Sequence, residues 1–232
     1  MVVAKKDTKD SSAEVKALKA KLEETRKALA EALEQIEKLK EKETVKPAAQ
    51  PKEKTIKDGH EYVDLGLSVK WATCNVGATS PEEYGDYFVW GETSPKEEYT
   101  EENSLTYGKQ MSDIAGNAQY DAARANWGGN WRMPTKTEMQ ELINNCTWEW
   151  MIQNGKNGYK VTGPNGNKIF LPAAGFRNGS SLYSAGEYGY YWSSTPDESD
   201  SDFAYSLHFY SSEHGVCYGY RDYGQSVRPV LE

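Results

Sequence analysis

Apolar residues recur at a 3–4 spacing through residues 13–42. Val15, Leu22, Leu29 and Ile36 lie seven apart, and Leu18, Thr25, Ala32 and Leu39 follow three residues behind. Four heptads of this kind predict a left-handed coiled coil. The intervening positions are Ala, Glu, Lys and Arg, all strong helix formers. Ser11 or Ser12 can cap the start, and Glu14 sits in the first turn, where a carboxylate is favoured. A narrow apolar stripe has nothing to bury itself against except other copies, so a parallel homo-oligomer is expected. Thr25 and Ala32 weaken the seam, which does not separate a dimer from a trimer. Residues 1–12 are polar and are expected to be disordered. Residues 43–57 carry Pro47 and Pro51 among charges and read as a semi-extended linker.

From residue 58 to the end the pattern changes. This stretch of roughly 175 residues is large enough for one core. Tyr62–Gly66, Val69–Ala72 and Tyr87–Gly91 are short apolar runs, read as strands. A helix is expected near Tyr120–Asn126, ended by Gly128-Gly129. A second begins at Thr135, whose T-x-x-E with Glu138 is a capping box; Met139, Leu142 and Ile143 form its apolar face and Asn144-Asn145 end it. Strands follow at Trp148–Gln153, Tyr159–Thr162 and Lys168–Leu171, with turns at Asn154-Gly155 and Pro164–Gly166. Further strands fall at Tyr190–Ser193, Ala204–Tyr210 and Val216–Tyr220, and Ser226–Val230 closes the chain. Two helices early and many strands late make an α+β pattern.

Charge and composition remove several functions. The net charge of -8 offers no basic face to a phosphate backbone, so nucleic acid is not an expected partner. No apolar run reaches the roughly 20 residues that cross a bilayer. Cys74, Cys146 and Cys217 have no CxxC spacing, which argues against a structural zinc site; they leave open one disulfide or three buried thiols. His60, His208 and His214 lack metal-ligand spacing. The acidic run Asp197–Asp202 could hold calcium but lacks the EF-hand spacing, and reads better as a solvated loop. No GxSxG, HExxH or phosphate loop is present, so neither catalysis nor a cofactor is expected.

The positive signal lies in Asp197–Tyr223. This tract is crowded with Tyr, Ser, Asp and Gly and contains no Lys, Gln, Met or Trp. Tyr supplies contact area at low entropic cost, and small polar neighbours adapt their hydrogen bonds. The candidate ligand-binding residues are Asp202, Phe203, His208, Tyr210, Ser212, His214, Cys217, Tyr218, Tyr220, Asp222 and Tyr223. By alternation His208, Tyr210 and Ser212 share one parity, whereas Leu207, Phe209 and Val216 face inward. Trp131, Trp192 and Arg228 are expected to be scaffold.

Six words punctuate the domain: YVDLGLSVKWATCNVG, YGDYFVWGET, NWRMPTKTEMQELI, IFLPAAGFRNG, GYYWSST and GQSVRPV. Together they resemble the Fibrobacter-type major paralogous domains of Bacteroidales. They also resemble the C-type lectin fold in the subgroup shared with formylglycine-generating enzymes, and its variable proteins of diversity-generating retroelements. The resemblance covers about Gly59 to Val230 and not the heptads. It implies a C-type lectin-like domain displaying a diversified, non-catalytic ligand-binding surface. A cell-surface or phage-particle location outside the cell follows from it, as does a slight preference for the trimer. Codons randomised at their first two bases and ending in a pyrimidine cannot encode Lys, Gln, Glu, Met or Trp; Asp197–Tyr223 holds only Glu198 and Glu213 from that set. The formylglycine-generating relatives use two cysteines near this end, and only Cys217 lies here, so their activity is not carried over. The ligand would be a protein or a glycan. A non-diversified adhesin or structural protein, or a carbohydrate-binding lectin, remains the alternative.

Overall fold

The computed structural model describes the backbone of residues 9–44 and 55–232, and the side chains of residues 15–35 and 55–232. The tail before residue 9, most of the expected linker with Pro47 and Pro51, and the side chains of Ile36 and Leu39 lie outside the described residues. The chain divides into two units, Met1–Glu53 and Lys54–Glu232.

The first unit is one helix, α1 (Lys9–Thr44). Its stripe faces solvent: Val15, Leu18, Leu22, Leu29 and Leu33 are all at least half exposed. Propensity and i,i+4 spacing are local and suffice to form a helix. No second helix lies alongside among the described residues, so the expected coiled coil gives way to a single helix.

The second unit corrects the remaining fold expectation. In place of an α+β domain on a C-type lectin plan, the described residues form a mainly β structure of twelve short strands in four small sheets, with two short α-helices and one 3-10 turn at Glu101–Asn103. The helical signals were local and produced only α2 (Ala122–Trp127) and α3 (Lys136–Asn145). The remaining order comes from pairings distant in sequence, which local propensity does not report.

Thr55–Lys57, which composition had placed in the linker, form β1 and pair with β2 (His60–Val63) across an Asp58-Gly59 turn. Both turn residues have positive φ, as the tight hairpin turn demands. β3 (Lys70–Ala72) and β12 (Val230–Leu231) complete this sheet, so the domain's two ends meet in the order β1-β2-β3-β12. The apolar run Tyr87–Gly91 makes no strand; Phe88 forms a single bridge to Gln225.

α3 carries the expected capping box between Thr135 and Glu138, and it buries Met139 and Leu142. Arg132 clamps the Glu138 carboxylate through two hydrogen bonds of 2.8 and 2.6 Å. β4 (Thr147–Gln153), β5 (Lys156–Thr162) and β6 (Lys168–Pro172) form a second sheet, with the Asn154-Gly155 turn where expected. β7 (Phe176–Asn178) and β8 (Ser181–Tyr183) form a hairpin. β9 (Gly189–Pro196), β10 (Phe203–Tyr210) and β11 (Glu213–Tyr220) pair in the order β11-β10-β9 and contain the three strands expected there.

One core cluster joins Trp71, Leu142, Val161, Leu171, Tyr191, Leu207 and Phe209. Another gathers Val76, Phe88, Trp90, Met133, Trp192 and Val227. The Trp90 indole donates to Ser193 O at 2.9 Å and Trp192 to Phe88 O at 2.8 Å. Buried Trp131 donates to Lys57 O. Arg228 is 1% exposed and donates to Asn75 Oδ1 and to the carbonyls of Ala72 and Thr73. All three expected scaffold residues are therefore interior.

A candidate ligand-binding surface on the C-terminal hairpin

The β10–β11 register decides which candidate residues meet. Phe203 faces Tyr220, Tyr205 faces Tyr218, Leu207 faces Val216 and Phe209 faces His214. Directly opposed residues share a face of a sheet. Leu207, Phe209 and Val216 pack on the core, as alternation predicts. At the other end of the same strands Phe203, Tyr218 and Tyr220 leave it. Tyr218 is 60% and Tyr220 41% exposed. Phe203 meets the Tyr220 ring at 4.4 Å and the Tyr218 ring edge-on at 5.3 Å.

These three rings wall a cavity of about 390 Å³, completed by Phe176, Tyr190, Ser206, Gly219, Tyr223 and Gln225. Tyr223 stacks on Phe176 at 5.3 Å. Gly219 keeps the wall close: a Cβ there would lie 2.6 Å from Gln225 Nε2, which would have to shift, and 3.3 Å from the Trp192 ring. Cys217 is set back and half-buried, with Sγ 3.5 Å from Ser206 Oγ, and burial raises its thiol pKa. All three cysteines are free, which closes the disulfide alternative.

A second cavity of about 520 Å³ shares Phe203, Tyr220 and Tyr223 with the first. Its remaining lining is acidic: Glu101, Asp200, Asp202 and Asp222, with Tyr107. Asp222 is 4% exposed. Burial pushes its carboxyl up to about 6, and Glu101 and Asp202 push the same way. The acidic run thus adds two walls, Asp200 and Asp202, to a cavity.

The other candidates go elsewhere. On the opposite parity, His208 pairs with Tyr190 and Gly215. Its ring lies among those of Tyr188, Tyr190 and Tyr210, at 5.7, 4.9 and 5.8 Å, and burial lowers its pKa. Tyr210 donates to Glu213 Oε2 at 2.6 Å. Ser212 is not on this strand face; it sits exposed in the turn between β10 and β11, because the strand ends at Tyr210. His214 stacks on Trp148 at 4.5 Å and lies edge-on to Tyr159, at the rim of the core. The eleven candidates therefore divide. Asp202, Phe203, Tyr218, Tyr220, Asp222 and Tyr223 line the paired cavities, His208 and Tyr210 form a neighbouring ring patch, Cys217 lies behind, and Ser212 and His214 stand apart.

Composition missed Phe176, Tyr188, Tyr190, Gln225, Glu101 and Tyr107. A signal for two of them existed: Tyr188-Gly189-Tyr190 repeats the Tyr-Gly-Tyr of residues 218–220. Nothing local marks the rest, which long-range pairing delivers, such as the bridges from Arg177 to Gly224 and from Phe88 to Gln225.

The β domain thus presents an exposed aromatic cleft on its C-terminal hairpin. Residues 62–231 match the model of the Lcl C-terminal domain, and the chain belongs to that family. No curated protein and no solved structure matches the chain.

Proposed function

We propose that this chain is a non-catalytic ligand-binding display protein of the diversity-generating-retroelement variable type, exposed outside the cell on a bacterial surface or phage particle. One observation carries the reading. In a member of the Lcl C-terminal domain family, the tract poor in residues that pyrimidine-ending randomised codons cannot encode coincides with an exposed aromatic cavity on a buried, hydrogen-bonded scaffold. Exposed Tyr clusters are anchors for protein partners. Rigid flanks such as Trp192 and Arg228 let such positions vary without loss of the core. The ligand in this reading is a protein or glycan, bound without metal or cofactor. The exposed apolar residues of α1 support self-association of the chain, which would multiply weak individual affinities.

Two experiments test this. The source genome should carry, beside a reverse-transcriptase gene, an imperfect repeat of the sequence encoding residues 197–223; absence of any such repeat returns the protein to the class of non-diversified adhesins. Sedimentation equilibrium should show an oligomer of the full chain, and a monomer at micromolar concentration removes the self-association part.

A further inference from the structure

Two buried acceptors without partners lie beside the shared wall of the cavities. Gln225 lines the aromatic cavity and is 2% exposed, and its Oε1 has no hydrogen-bond partner. Asp222 lines the acidic cavity, is 4% exposed, and its Oδ1 has none either. A buried acceptor left unpaired is a standing cost to folding, and an unpaired carboxylate more so. Folding alone gives no reason to keep an acid there.

The chemistry of the missing group follows from what surrounds it. Both orphans accept, so the group must donate. Glu101, Asp200 and Asp202 line the same acidic cavity, so the donor is favoured if positively charged. The shared walls are the rings of Phe203, Tyr220 and Tyr223, and a flat cation stacks on such rings. A guanidinium meets all three conditions: it is planar, carries five donors and no acceptor, and sheds water more readily than an ammonium.

No cation of the described chain fills this role. Arg221 directs Nε to Phe203 O, Nη1 to Lys109 O and Thr106 O, and its plane over Trp90 at 4.4 Å. Nor do the acidic side chains gather closely enough to form a metal-binding group among the described residues. Resting on the ligand-binding reading above, we propose that the paired cavities receive the guanidinium of an arginine side chain presented by a protein ligand.

The full chain is titrated with acetyl-arginine methylamide while the backbone amide resonances of Gly219 and Tyr223 are followed by NMR. The isosteric uncharged citrulline amide, the lysine amide and neutral acetyl-tyrosine amide serve as comparison probes. Saturable shifts with the arginine probe are expected, with the citrulline and lysine probes at least tenfold weaker, a difference of about 1.4 kcal/mol. Asp222→Asn should weaken the arginine probe tenfold or more and leave the tyrosine probe within twofold. Binding should also strengthen as pH rises through about 6, where Asp222 gains its charge beside Glu101, Glu102 and Asp202. Equal binding of arginine and citrulline overturns the proposal, and equal binding of lysine overturns the guanidinium assignment. If the tyrosine probe binds while the arginine probe does not, the cationic subsite falls and the binding surface stands; if neither binds, both fall. Should Asp222→Asn fail to fold, Asp202→Asn on the cavity rim should weaken the arginine probe about threefold, and an unchanged affinity there also refutes the proposal.

Discussion

Two aromatic groups lie within one hairpin's reach of each other and behave in opposite ways. Around Trp192 the rings are fully buried, and the indole N–H groups of Trp90 and Trp192 each find a backbone carbonyl. Around Phe203 the rings line an open cavity, and Tyr218 and Tyr220 are 60% and 41% exposed to water. Gly219 separates them: its missing side chain lets Gln225 and Trp192 pack against the underside of the strand that holds Tyr218 and Tyr220 outward. Aromatic content alone therefore says little about role. A ring whose polar atom is satisfied inside the chain holds the fold. A ring whose polar atom faces water is available to a partner.

Mutation should separate the two groups. Trp192→Ala removes a fully buried ring and its hydrogen bond, and is expected to cost about 3–5 kcal/mol of stability in denaturant unfolding. A variant that melts normally yet binds nothing would place Trp192 in the binding surface and invert the comparison. Tyr218→Ala with Tyr220→Ala should instead change stability by less than about 1 kcal/mol. It should weaken ligand binding by roughly 2 kcal/mol or more, read by calorimetry with any protein ligand found by display. Loss of a cooperative transition in that double variant would make these rings core.

Asp222 sharpens the comparison, because it is buried like the scaffold yet unsatisfied like the surface. Its folded pKa of about 6 lies above the roughly 3.9 of an unfolded aspartate. The native state therefore holds its proton more tightly, and this residue's contribution to stability falls as pH rises from about 4 to about 6. Asp222→Asn should abolish that slope and stabilise the protein at pH 7 by up to about 3 kcal/mol relative to wild type, measured by unfolding at both ends of the window. An unchanged difference between pH 4 and pH 7 would show that water or a neighbour satisfies the carboxylate. The smallest effect is expected from deleting residues 1–53: residues 54–232 should unfold within about 0.5 kcal/mol of the full chain at equal concentration, since the chain divides there. A larger drop would mean that α1 supports the domain.

Where hydrogen bonds and packing lie within a few residues, the sequence was legible. The capping box at Thr135, the Asn154-Gly155 turn and the alternation of Leu207, Phe209 and Val216 all stand as read. The heptads of residues 13–42 illustrate the limit. They encode a helix through contacts three and four residues apart, but a partner helix is a different molecule, and the structure shows a single helix. The α+β expectation failed for the same reason: two locally strong helices stood out against strands whose partners lie far away in the chain.

The sequence by itself determined that a Tyr-rich terminal tract would sit between rigid apolar words, because composition and period-two alternation are carried by neighbouring residues. Only the tertiary structure decided which tyrosines share a cavity, that His214 belongs to Trp148 rather than to His208, and that Asp222 is buried beside Glu101. Those outcomes depend on strand register and on bridges such as Arg177 to Gly224, set by the summed burial of the whole core and written in no local pattern.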